Sequence, residues 1–257
     1  MNHFKSSAEL KASAREHLLG HYGTVVGAYL ILGALDITVS FVAPAIVDLN
    51  SVIGIIIYYA ILFLVSLLKG VFLSGTCYLF LKISCERPAS LGDLFYGFQL
   101  CPDKAIIMQA WFTLINYIAT LPQIIFTYII NKGSFNGLTL FLTERQLMHL
   151  EKYILPYALS VILSNVVALF VNLIYAQVFY LLHDFPQYSV RELMQKSRQL
   201  MAHHKGRLFY LWVSFLPLLL LGLLCGGLAL LWVLPYMTAA KTEFFLDLIK
   251  NNTEAAS

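Results

Sequence analysis

Apolar residues in this chain fall into long, nearly unbroken runs rather than the alternation of a strand or the narrow stripe of a surface helix. The first covers residues 23–41, close to the ~20 residues a helix needs to cross a ~30 Å hydrocarbon layer. The second, 52–81, would make roughly 45 Å of helix, so it must tilt or project from the bilayer. The third and fourth are 105–130 and 154–182. The last, 208–234, contains Gly222, Gly226 and Gly227 and reads as a hairpin turning at Leu224-Cys225-Gly226-Gly227. The expected fold is an all-α polytopic transmembrane helical bundle of six spans, or five if the last run does not turn. It forms one integral membrane domain over 1–257.

Three short segments outside these runs begin alike. Ser6 precedes Glu9, Ser90 precedes Asp93, and Ser189 precedes Glu192. In each, a hydroxyl is placed to cap an orphan N–H and an acid sits in the first turn. The first places Leu10, Ala14, Leu18 and His21 on one face; the second has Leu91, Leu94, Phe95 and Phe98. In the third, Val190, Leu193, Met194, Ser197, Leu200, Met201 and His204 oppose Arg191, Gln195, Lys196, Arg198, Gln199 and His203, and Gly206 is placed to end the helix. Such helices are expected to lie at headgroup level, two of them within 1–22 and 186–206. Leu193, Met194, Leu200 and Met201 would enter the acyl boundary. Arg191, Lys196, Arg198, Lys205 and Arg207 would contact anionic lipid. The plainer alternative is capped connectors. The recurrence also suggests a repeat of interfacial helix, span, outer turn and span.

Basic residues give the orientation. Lys5, Lys11 and Arg15, then Lys82, Arg87 and Lys104, then the five around the third amphipathic segment fall on one side of the bundle. That side is expected to be cytoplasmic, with Lys132, Arg145 and Lys152 opposite. With six spans both termini are cytoplasmic, in the plasma membrane of a bacterium. Of the 257 residues, 59% are hydrophobic and only 12% charged, too few charges for a water-facing coat. The net charge of +3, without a basic stripe, argues against nucleic acid. Cys77, Cys85, Cys101 and Cys225 form no CxxC pair, and reduced thiols are the expectation. The polar N-terminus has no signal-peptide pattern, so no cleaved segment is expected.

Ser7 to Arg15, Leu19-Gly-His-Tyr-Gly23 and Ser90-Leu-Gly-Asp-Leu-Phe-Tyr-Gly-Phe98 also carry a family likeness. So do Ser197 to Met201, Lys205 to Phe209, Ser214-Phe215, Leu231 to Tyr236 and Phe244-Phe245. Together these resemble a bacterial membrane family catalogued as domain of unknown function 975, in which the last pair is usually Phe-Tyr. The resemblance implies a multi-pass membrane protein of Gram-positive bacteria and implies no reaction.

No phosphate loop, HExxH, GxSxG or EF-hand pattern occurs, and no catalytic residue, cofactor or metal is expected. His17 and His21 have a metal-compatible spacing but no third ligand, which favours ordinary histidines. The candidate intramembrane polar residues are Lys69, Asn116, Asn165, Asn172, His183 and Asp184. An intramembrane lysine is costly, so Lys69 should snorkel, pair, or line a path. At 100° per residue Ala158, Asn165, Ala168, Asn172, Ala176 and His183 share one wedge. Interhelical glue is favoured over a substrate lining, with Asn116 and Gln123 as possible partners. The first functional expectation is a non-enzymatic membrane module that interacts with other membrane proteins or a second copy of itself. The alternative is a small-molecule or lipid transporter, with Pro122, Pro156 and Pro217 available to break helices. An intramembrane hydrolase is least supported, because no acid, base or metal set clusters.

Overall fold

A computed structural model of the chain describes residues 4–48, 51–130 and 144–256, with side chains described for 4–48, 51–126 and 154–252. The elements are α1 (Ser7–Leu18), α2 (Tyr22–Ile46), α3 (Val52–Ser84), a 3-10 helix (Leu91–Phe98), α4 (Pro102–Ile130), α5 (Glu144–Ile174), α6 (Val178–Asp184), α7 (Val190–Leu200), α8 (Lys205–Val213), α9 (Leu216–Leu224) and α10 (Leu230–Ala256). No strand occurs among the described residues. Among the described residues five stretches are long and apolar enough to cross a membrane: Tyr22–Ile46, Val52–Ser84, Pro102–Phe126, Ile154–Asp184 and Lys205–Leu224. The protein is an all-α polytopic membrane bundle. Of the basic residues expected outside, Lys132 lies beyond the described residues, and Arg145 and Lys152 are described in backbone only.

The expected turn is present. α9 ends at Leu224, and Gly226 and Gly227 take φ values of +67° and +85°, a left-handed region that side chains disfavour. The Gly227 N–H donates to the Gly222 carbonyl at 3.0 Å. α10 follows as a sixth arm but is not among the span-like helices. Lys241, Glu243 and Asp247 interrupt its apolar sequence. The prolines available to break helices leave two spans intact: α4 and α5 continue through Pro122 and Pro156. Pro217 sits in the first turn of α9, where the N–H it lacks would be unpaired anyway.

Contacts divide the chain into two compact units. The first comprises Met1–Ala34, Gly70–Ala105 and Leu173–Ser257. In it α1 packs on α10 and α8, burying Leu10, Ala14 and Leu18. The 3-10 helix lies backbone to backbone on α3, where Gly75 faces the Leu94 carbonyl and Gly97 faces that of Val71. Around this contact Tyr78 stacks on Tyr96 at 3.8 Å, and Lys82 pairs with Asp93 at 2.9 Å. The second unit comprises Leu35–Lys69 and Ile106–Asn172. Polar side chains stitch it: Ser66 to Thr113 at 3.0 Å, the Tyr117 hydroxyl to the Tyr59 carbonyl at 3.3 Å, and Gln123 to Ser164 at 2.5 Å.

Ser6 and Ser189 carry the reciprocal bonds of a capping box, and at Ser90 the Asp93 carboxylate accepts from the Ser90 N–H at 2.7 Å. The second capped segment, however, is a 3-10 helix. The third helix is shorter than the sequence implied. α7 ends at Leu200, and Met201 to His204 form a turn. Gly206 therefore does not end that helix but lies in the first turn of α8. The acyl-boundary assignment of α7 also changes. Leu193 and Met201 have no exposed surface, and side chains without surface have none to offer lipid. Protein covers these two, whereas Met194 and Leu200 keep part of their surface; Ser197, buried between them, donates to the Ile174 carbonyl at 3.2 Å.

Candidate functional site

In the second unit Lys69 forms an ion pair with Asp36 of α2. Both side chains are about half exposed. An acid and a base on consecutive spans is a signal the sequence carries, and pairing lowers the cost of holding either charge in hydrocarbon. Asn116 donates its amide to the Phe112 carbonyl one turn back on its own helix. Asn165 and Asn172 do likewise, each at 2.8 Å, to Val161 and Ala168. Both are exposed. The glue between α4 and α5 is instead Gln123 with Ser160 and Ser164. Ser164 and Asn165 are neighbours in sequence, so they point about 100° apart, and only the serine side meets α4.

The wedge from Ala158 to His183 is not continuous. The chain departs from helix between α5 and α6, at Tyr175 to Gln177, and the phase of the pattern shifts. Within that break Ala176 is buried. His183 Nε2 lies 2.8 Å from the Ser74 carbonyl and 3.2 Å from its hydroxyl. Asp184 is exposed at the end of α6.

In the first unit the five basic residues assigned to lipid separate into groups. Arg207 is taken by protein: one guanidinium nitrogen donates to Asp247 at 2.9 Å and to the Lys5 carbonyl at 2.8 Å. The Lys196 ammonium sits over the rings of Phe185 and Tyr188 at 4.4 and 4.5 Å. Lys205 opens α8. Arg191 and Arg198 remain exposed and line a concavity of about 550 Å³ with Tyr175, Met194, Gln195 and Gln199. The acid on the same helix, Glu192, is occupied by hydrogen bonds from Ser189, which hold its carboxyl below the usual range.

No sequence motif marks the two acids of α10 that the fold buries. Glu243 and Asp247 are almost fully buried, one turn apart. His17 Nδ1 of α1 lies 2.9 Å from Glu243, and the Lys5 ammonium lies 4.0 Å away. Next to this latch His204 packs on Phe4, ring centroids 4.6 Å apart. Burial first, and Arg207 and His203 second, hold its imidazole below its ordinary value. Lys241 faces inward over Tyr180 at 5.7 Å, without a carboxylate partner among the described residues, and burial lowers its pKa. A lysine with a depressed folded pKa opposes folding at every pH below that value. The opposition fades as pH climbs from the lowered value to the ordinary one. Lys241→Met should therefore raise the melting temperature at neutral pH, with a gain that shrinks in alkaline buffer. Thermal scans in detergent at both pH values check this, and a lower melting temperature at neutral pH would contradict it.

Among the described residues no group of His, Cys, Asp or Glu is arranged to hold a metal. No curated protein and no solved structure matches the chain. The motifs that carried the family likeness have definite places, among them α1, the 3-10 helix, the first turns of α8, and the buried pair Phe244-Phe245. The family model described as "Protein of unknown function (DUF975)" matches residues 1–252, and the chain belongs to that family.

Proposed function

We propose that this chain is a non-enzymatic module of a bacterial plasma membrane that binds another membrane protein through the α5 face carrying Asn165 and Asn172. The observation that carries the reading is the state of those two amides. Each gives one N–H to its own helix and has no other hydrogen bond among the described residues. Both are exposed near the middle of an apolar stretch. Hydrocarbon offers neither donor nor acceptor, so a partner helix is the natural source of the missing bonds. The transport alternative draws on Lys69, but Asp36 already neutralises that charge in place, which favours the module. Cytoplasmic placement of both ends is supported by the basic side of the sequence and by the bonds joining α1 to α10.

The test is purification in native lipid discs. The wild-type chain should carry a stoichiometric second protein. Interhelical hydrogen bonds are worth about 0.6 kcal/mol each, so Asn165→Leu with Asn172→Leu should weaken retention roughly tenfold or less while helicity and elution stay unchanged. Discs holding only lipid and this chain, for both proteins, would sink the reading. Substrate-dependent flux in vesicles of the pure chain would favour the transporter.

A further inference from the structure

We infer that the concavity on the basic side of α7 binds a phosphate-ester anion between the guanidinium groups of Arg191 and Arg198. The two arginines are seven residues apart, two helical turns or about 10 Å along the axis, and line one hollow of about 550 Å³. That volume suits a small anionic headgroup. Gln195 lies on the same side between them, and its carboxamide and that of Gln199 add neutral donors. Met194 provides apolar surface, and Tyr175 brings a phenol from the end of α5. The wall is fixed rather than adventitious. Ser197 bonds the Ile174 carbonyl, and buried Gln177 meets buried Met201 just past the end of the same helix.

The electrostatics select the ligand. Neither arginine forms an ion pair among the described residues, while Arg207 and Lys196 are engaged elsewhere. Two uncompensated guanidinium forks facing one hollow match tetrahedral phosphate oxygens, each fork able to donate twice. The phosphate can belong to an anionic phospholipid or to a soluble phosphate compound. Tyr175 lies within the span-like stretch Ile154–Asp184, which sets the hollow beside a span and makes the phospholipid the expected source.

The full-length chain, in detergent with phosphatidylglycerol or phosphatidylcholine added, is examined by native mass spectrometry. Wild type should retain one phosphatidylglycerol and little phosphatidylcholine. Arg191→Gln with Arg198→Gln should weaken that retention at least tenfold; the two side chains are exposed, so the melting temperature should hold. Arg87→Gln, an exposed arginine outside the hollow, should behave as wild type. Lysine at both positions keeps the charge without the fork and should lose only part of the affinity. Pyrophosphate binding to wild type with the same arginine dependence, without lipid retention, supports the site and assigns it to a soluble compound. Equal retention of both lipids, or of phosphatidylglycerol by wild type and the glutamine double variant, overturns the proposal.

Discussion

Gly75→Ala is expected to destabilise this protein more than an ordinary core overpacking, which costs about 1–3 kcal/mol. A Cβ at position 75 would overlap the backbone carbonyl of Leu94, and one at position 97 would overlap that of Val71 and crowd the Gly75 nitrogen. An obstructing side chain can rotate away, but here the obstacle is backbone on both sides. To make room, the 3-10 helix must lift off α3, which opens the ring contacts of Phe72 with Phe95 and Phe98 and the Tyr78–Tyr96 stack. Gly97→Ala should behave alike. Gly92→Ala is the matched control, because its nearest neighbour would be the Ser90 hydroxyl at 3.5 Å, an ordinary contact. Melting temperatures of the three variants in one detergent decide the matter. A wild-type value for Gly75→Ala would mean the two backbones do not approach this closely.

Removing Arg207 should have the other large effect. Asp247 keeps only 4% of its side-chain surface, and Arg207 neutralises it at 2.9 Å. Breaking a buried pair from one side costs about 3–5 kcal/mol, because the surviving charge is left without compensation. Arg207 is 28% exposed, which places Arg207→Met near the lower end, at about 3 kcal/mol. Asp247 would retain weak bonds from the Lys5 N–H at 3.3 Å and the Asn251 amide at 3.2 Å. The pair as such is a separate matter: with Asp247→Leu added no charge is stranded, and part of the loss should return. A double-substitution cycle measured by unfolding in mixed micelles reads the coupling. Additive losses would show that the two residues do not act as a pair. The Arg207 guanidinium also lies 4.6 Å from the Phe4 ring and 5.2 Å from that of Phe244. Loss of this packing should loosen the N-terminal arm, seen as faster proteolysis after Lys5.

Local chemistry was legible in the sequence because it acts over a few residues. Run lengths placed the apolar helices, since rise per residue and bilayer thickness are fixed quantities. Ser6, Ser90 and Ser189 marked helix starts, because a cap and its acid are three residues apart and need nothing distant. Gly226 and Gly227 marked the turn through their tolerance of positive φ. The basic concavity was half visible, because Arg191 and Arg198 share a helical side on periodicity alone.

What periodicity leaves open is the identity of whatever covers a face. The apolar side of α7 reads the same whether lipid or protein lies against it, and only the packing decided for protein at Leu193 and Met201 while leaving Met194 and Leu200 partly exposed. The basic residues around α7 likewise look alike in sequence. Arg207 was removed from the lipid set by Asp247, forty residues away, and by the carbonyl of Lys5 at the far end of the chain. Lys69 found its partner in Asp36, and Gln123 in Ser164 rather than in either asparagine. These pairings join segments distant in sequence, and their energies depend on distance and exclusion of solvent. Those are properties of the folded chain, which no local pattern encodes.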